Sequence, residues 1–245
     1  MIRQVRFDNG RGQLLSGLLD LPDGPTLDWA LFAHCFTCTK NLRAIGHLVG
    51  PLNQAGIGVL RFDFTGLGGS QGDFADENFS RNIDDLMAAA EFLAREYAPP
   101  SLMFGHSLGG TAVLHAARHV PSVAAVATIG SPARAEHVAA LLHGSIDQIE
   151  RTGEAEVSLG GRPFRIRRQF LDDLARSPSV ESVRNMRKAL LIMHSPVDTV
   201  VSVDNASEIF RAAMHPKSFV SLNDADHLPL SVYLLTSSDN HSVSG

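Results

Sequence analysis

The sequence predicts an α/β fold built on a mostly parallel, doubly wound sheet, with antiparallel strands at its N-terminal edge and an inserted cap. Three observations carry that expectation. Short apolar runs bounded by turn residues alternate with helical stretches of amphipathic spacing; the alternation is interrupted once, between residues 131 and 187; and the chemically distinctive residues fall directly after strands. Strands alternating with helices imply parallel pairing and right-handed crossovers, with helices on both faces. In such sheets ligands gather at the carboxyl ends of the strands.

Taken in order, Ile2 to Asp8 and Gly12 to Asp20 read as two strands joined at Asn9-Gly10, a tight-turn signal. After the turn-rich Pro22-Asp23-Gly24-Pro25, the run Trp29-Ala30-Leu31-Phe32-Ala33 is continuously apolar, as a strand covered on both faces requires. It leads through His34-Cys35-Phe36-Thr37-Cys38 into a helix expected from about Asn41 to Ala55, with Leu42, Ile45, Leu48, Val49 and Leu52 at helical spacing. The unit repeats with the strand Ile57 to Phe62, the glycine-rich loop Asp63 to Asp73 and a helix from about Ser80 to Glu96. A third unit comprises Ser101 to Phe104, the turn Gly105-His106-Ser107-Leu108-Gly109 and a helix from Gly110 to His119, followed by the strand Val123 to Ile129.

Residues 131–187 contain helical patches around a hairpin expected at Glu154 to Ile166, turning at Gly160-Gly161. Because the insertion follows a strand end, it should overhang the site as a cap. Its arginines Arg162, Arg165, Arg167 and Arg168 read as a solvated positive face, with binding of an acidic substrate as the alternative. Alternation resumes with the strand Ala189 to Met193, a helix from Val203 to Ala213 and the strand Ser218 to Leu222. The expected organisation is a core of residues 1–130 and 188–235, the cap, and a polar tail over 236–245.

Composition narrows the function classes. At 245 residues, 44% hydrophobic and 19% charged, the chain can bury one proper core and is neither disordered nor fibrous. A net charge of -5 gives no basic footprint for nucleic acid. No charged n-region precedes an apolar h-region, and no apolar run reaches membrane-span length, so a soluble cytoplasmic protein with no membrane partner is expected. Cys35 and Cys38 are the two cysteines, too close together to staple a fold. Two free thiols beside the strand-end loop is the favoured reading. A thiol redox or sensing module is the rival from another class, and a zinc site that adds His34 lacks a fourth ligand.

Gly105-His106-Ser107-Leu108-Gly109 is a G-x-S-x-G pattern in strand-turn-helix context, which thrusts a serine out of a sharp bend as a nucleophile. Such a serine needs a base for its proton, and the base needs an acceptor that fixes its tautomer and stabilises its positive charge. Asp198, after the strand Ala189 to Met193, and His227, after the last strand, are placed to supply both. Asp224 and Asp226 share the histidine's own strand end, whereas Asp198 approaches from the next strand. The developing oxyanion needs two donors, expected from the backbone N–H groups of Phe36 and Leu108. The loop Asp63 to Ser70 lacks the Gly-Lys-Ser/Thr ending of a phosphate loop and reads as a support for the site.

Over roughly Gly12 to Leu228 these residues resemble the α/β-hydrolase superfamily. The stretches His34 to Leu42, Arg61 to Gly68 and Val157 to Phe164 are similar to the hydrolase half of bifunctional proteins that fuse such a domain to an OsmC-like domain. The resemblance implies an α/β-hydrolase fold and a serine carboxylesterase acting on a small-molecule ester, with Ser107, Asp198 and His227 at the triad positions. It also implies oxyanion donors at Phe36 and Leu108, and neither cofactor nor metal. Feruloyl or cinnamoyl esterases with a comparable cap are also similar, and an elbow serine is chemically competent for thioesters. The chain departs from the family in showing no OsmC-like domain after His227 and no clear closing helix.

Overall fold

The computed structural model describes residues 1–41, 45–142, 144–159, 161–178, 180–223 and 225–227. Its centre is an eight-stranded sheet in the order β1-β2-β4-β3-β5-β6-β9-β10. β1 (Ile2–Asp8) and β2 (Leu14–Asp20) form the antiparallel edge, and β2 also runs antiparallel to β4 (Ile57–Phe62). From β4 onward, β3 (Asp28–Ala33), β5 (Leu102–His106), β6 (Ala125–Ile129), β9 (Ala189–His194) and β10 (Lys217–Ser221) are all parallel. The mostly parallel, doubly wound α/β fold with antiparallel N-terminal strands is therefore present.

Period-two side-chain alternation divides the core. Ala30, Phe32, Val59, Phe104 and Ala127 face one side with Val49 of α1 (Gly46–Gln54), while Leu31, Leu60, Phe62, Met103 and Val126 face the other. That second side is covered by α2 (Phe79–Glu96) and α3 (Leu108–Ala116) and, farther along, by Ala206 and Ile209 of α6 (Asp204–Ala212). Burying a side chain such as Leu31 or Phe32 contributes about 1.5–3 kcal/mol, so the central strands hold much of the fold's stability. Toward β9 and β10 the α1 side leaves an apolar groove of about 700 Å³ bordered by Leu52, Phe104, Leu191 and Pro216. It contains none of the predicted site residues.

The helix expected from Asn41 begins as α1 at Gly46; Leu42 lies outside the described residues. The expected hairpin forms as β7 (Glu154–Leu159) and β8 (Arg162–Arg167), antiparallel and separate from the main sheet. It is flanked by α4 (Ile146–Thr152) and α5 (Arg168–Arg176), with 3₁₀ turns over Ala135–Leu142 and Val180–Asn185. Two aromatic contacts bind this segment to the core: Phe170 stacks on Phe36 at 5.1 Å and Phe164 packs edge-on to Phe74 at 5.0 Å, with Phe74 and Phe36 themselves in contact at 5.5 Å. Polar ties reinforce them. Arg165 pairs with Asp73 at 3.1 Å, Arg167 with Asp76 and Glu154, and Ser80 N–H and Oγ donate to Asp173. The apolar segment 228–235 and the polar tail 236–245 lie outside the described residues.

Candidate active site

β5 ends at His106, and the chain reverses at Ser107, whose φ of 53° and ψ of -128° lie where a side chain is rarely tolerated. Hydrogen bonds enforce the bend: Ser107 N–H donates to Ile129 carbonyl at 2.9 Å, and Gly110 N–H donates to Ser107 carbonyl at 2.9 Å. The neighbouring glycines are sterically required. A Cβ on Gly105 would lie 2.5 Å from the Gly109 backbone, and one on Gly109 would lie 2.3 Å from the His34 carbonyl oxygen. One on Gly110 would overlap the Ser131 hydroxyl at 1.7 Å. α3 therefore begins with Leu108, tight against β3.

Asp198 follows β9 in a turn where its N–H donates to the Ser195 carbonyl. Its Oδ1 accepts from Val200 and Val201 N–H at 2.8 and 2.9 Å, which leaves Oδ2 for His227 Nδ1 at 2.8 Å. Burial alone would raise the Asp198 carboxyl, but the His227 hydrogen bond and the two amides hold it below its ordinary value. The carboxylate thus stays ionised and fixes the imidazole with its proton on Nδ1. His227 Nε2 then faces Ser107 Oγ at 3.1 Å with its lone pair toward the hydroxyl proton. Gly130, at φ 53°, leaves room for this pair, since a Cβ there would come 3.3 Å from Asp198 Oδ2.

In the sequence His106 has no role beyond its place in the Gly105 to Gly109 pattern. In the fold its Nε2–H donates to the His227 carbonyl at 2.7 Å, and the two rings lie 5.1 Å apart. Burial lowers the His106 pKa to about 4, so the ring is neutral. No local pattern marks this role, because the partner lies 121 residues along the chain. His194 lies 3.7 Å from Asp198 Oδ2, but its Nε2–H donates to the Val201 carbonyl at 2.8 Å.

Phe36 lies in the loop after β3 and Leu108 opens α3 directly after Ser107, and the two border one small pocket beside the bend. Leu108 N–H, the first of α3, has no carbonyl one turn behind it. Phe36 N–H has no acceptor among the described residues. The loop carrying Phe36 is locked from below. His34 Nδ1–H donates to Cys35 carbonyl at 2.8 Å, and its Nε2 accepts from Phe64 N–H at 3.3 Å; burial lowers its pKa to about 4. Lys40 N–H and Nζ both donate to the fully buried Asp63, whose Oδ2 also accepts Gly69 N–H. The glycine-rich loop thus wraps an internal carboxylate.

The expectation of two free thiols does not hold, because Cys35 and Cys38 are joined as a disulfide with Cα atoms 5.2 Å apart. Adjacent turn geometry, with Cys38 N–H donating to Cys35 carbonyl, brings the two sulfurs together. With both sulfurs bonded to each other and His34 committed to backbone partners, the zinc arrangement weighed from the sequence has no donors left. Asp226 is exposed, and Asp224 lies outside the described residues.

Ser107 and His227 open into a cavity of about 770 Å³. Its walls are mainly apolar, with Val138, Leu141 and Leu159 from the inserted segment facing Val200 and Val201 from the loop after β9. Of the four arginines singled out in the sequence, Arg162 borders this cavity; Arg165, Arg167 and Arg168 pair with carboxylates.

Residues 38–152 match the family model described as serine aminopeptidase, S33. The esterase domain of a Rhodothermus marinus protein is 50% identical, with a TM-score of 0.76 over 94% of this chain and 91% of that one. Two more distant structures share the fold. Est1E from Butyrivibrio proteoclasticus, solved with ferulic acid bound, is 22% identical with a TM-score of 0.75, covering 93% of this chain and 92% of its own. Mouse alpha/beta hydrolase domain-containing protein 10 is 21% identical with a TM-score of 0.72, covering 92% and 90%. No protein of curated function matches the sequence.

Proposed function

From the premise that the chain belongs to the α/β-hydrolase superfamily, alongside the Rhodothermus marinus esterase domain, we propose that it is a serine carboxylesterase working through an acyl-enzyme. One observation carries the reading: the unbroken hydrogen-bond chain from Asp198 Oδ2 through His227 to Ser107 Oγ, at 2.8 and 3.1 Å, ending in a cavity. His227 Nε2 takes the hydroxyl proton as Ser107 Oγ attacks the ester carbonyl, and Asp198 stabilises the imidazolium that forms. Phe36 and Leu108 N–H groups donate to the oxyanion, Leu108 with the helix dipole behind it. The tetrahedral intermediate collapses, the alkoxide departs with the proton from His227, and the acyl group stays on Ser107. A water then gives its proton to His227 as it attacks the acyl carbonyl, and the second tetrahedral intermediate collapses, releasing the acid while His227 returns the proton to Ser107 Oγ.

Residues 131–187 act in this scheme as a cap, since Val138, Leu141 and Leu159 close the cavity opposite the serine. The aromatic and ionic ties to Phe36, Asp73 and Asp76 favour a fixed roof over a hinged lid. The test is turnover of short-chain para-nitrophenyl esters, with intact-mass detection of a fluorophosphonate adduct on Ser107. Ser107→Ala should lose about 10⁴-fold or more of kcat together with the adduct. Normal hydrolysis by that variant sinks the assignment.

A further inference from the structure

The tip of the β7-β8 hairpin hangs over the cavity, with Ser158, Leu159 and Arg162 among its lining residues. Strand alternation puts Arg162 on the same face of β8 as Phe164 and Ile166, and Arg165 and Arg167 on the other. The outward pair is spent on Asp73, Asp76 and Glu154. Arg162 differs. Its Nη2 donates to the Thr37 carbonyl, in the loop that carries Phe36, and its guanidinium carbon lies 5.3 Å from the Phe164 ring centroid. Among the described residues it has no carboxylate partner.

Among the described residues that line the cavity there is no Asp, Glu, Lys or second Arg, so Arg162 supplies the one permanent charge among them, and that charge is positive. One of five N–H donors is held by the Thr37 carbonyl, which ties the planar group to the loop that carries Phe36 and leaves the others available. Arg162 is exposed where it borders the cavity, and a guanidinium matches the two oxygens of a carboxylate. We propose that Arg162 is a specificity-determining residue that binds a carboxylate on the substrate. The esters this site selects then carry a second, free carboxylate at the end remote from the scissile bond. This rests on the esterase reading and names its substrate class.

Two matched pairs test it: the mono-para-nitrophenyl ester of adipic acid against para-nitrophenyl hexanoate, and para-carboxyphenyl butyrate against para-acetylphenyl butyrate. The quantity read is the ratio of kcat/KM for the charged ester to that for the neutral one, after subtraction of spontaneous hydrolysis. Comparing this ratio between proteins cancels the esters' intrinsic reactivity. Arg162→Gln should lower it about tenfold in at least one pair, the scale of one charge-assisted hydrogen bond at a partly exposed site. Arg162→Lys should retain most of it, and Arg168→Gln, at an exposed position outside the cavity, should leave it unchanged. The proposal is overturned if Arg162→Gln leaves both ratios within twofold of the wild type, or if Arg168→Gln lowers them equally.

Failure of the esterase reading is separately visible, as absence of neutral-ester turnover and of the fluorophosphonate adduct. Calorimetry with the monoanilide of adipic acid against hexananilide then decides the role of Arg162 without turnover. A preference for the charged anilide that Arg162→Gln abolishes supports the proposal, and equal affinity for the two anilides in the wild type overturns it.

Discussion

The imidazole of His106 holds the backbone of His227: its Nε2–H reaches the His227 carbonyl at 2.7 Å, from the residue immediately before Ser107. The strand that leads to the proposed nucleophile therefore also holds in place the residue proposed to activate it. His106 does not touch the reacting atoms and is a positioning residue.

His106→Ala should lower kcat roughly ten- to a hundredfold, as misplacement of a catalytic group by about 1 Å does, with little change in KM. His106→Gln, whose amide reaches a similar point, should restore most of the loss. Steady-state kinetics on a neutral aryl ester with thermal melts alongside make the check. A fall in melting temperature with unchanged kcat would assign His106 to stability alone.

Three buried histidines make stability depend on acid. In His34, His106 and His115 burial lowers the pKa from 6.5 to about 4. Between those values the unfolded chain binds protons that the folded chain refuses, so stability falls as pH drops from 6.5 toward 4 and is fully present above 6.5. At about pH 5 each histidine should cost about 2 kcal/mol relative to about pH 7.5. His115, packed edge-on to Phe79 away from the site, is the one to replace. The gap between urea midpoints at the two pH values should narrow by about a third in His115→Gln, since His34 and His106 remain, and an unchanged gap would show that His115 does not contribute.

Gly109→Ala should destabilise by about 1–3 kcal/mol, the usual penalty of overpacking, and should also reduce kcat. Its Cβ would press on the Ala33 and His34 carbonyls, which are backbone atoms that cannot rotate aside. Those carbonyls directly precede the Phe36 loop, so relief of the clash displaces an oxyanion donor. Chemical denaturation and kcat measured together test the link. A variant destabilised with kcat intact would show that α3 moves and the loop does not.

The inner strands were readable because they are short, largely apolar runs bounded by turn residues: Ile57–Phe62 falls where its pattern puts it. Ser107, Asp198 and His227 could be picked out because each follows a strand whose carboxyl end faces one region of space. The expected start of α3 at Gly110 is two residues late: Gly109 belongs to the turn pattern, yet it lies inside the helix because packing against the Ala33 and His34 carbonyls leaves no room for a side chain. The partners of the arginines in the inserted segment were invisible for a different reason. Arg165 reaches Asp73 and Arg167 reaches Asp76 across about ninety residues of chain, and no local pattern encodes that pairing. The role of His106 also depends on a contact between residues far apart in sequence, so its identity as the residue before Ser107 did not disclose it.

The crowding at Gly105, Gly109 and Gly110 has an evolutionary corollary. Any codon change that gives these positions a side chain drives it into backbone or the Ser131 hydroxyl within 2.5 Å, so lineages and laboratory libraries alike must conserve the bend while varying what surrounds it. The β7-β8 hairpin is held by side chains at its base and contributes no strand to the main sheet. Selectivity can drift there by point mutation while the chemistry stays put, which makes the hairpin tip the place to randomise when a new ester is wanted.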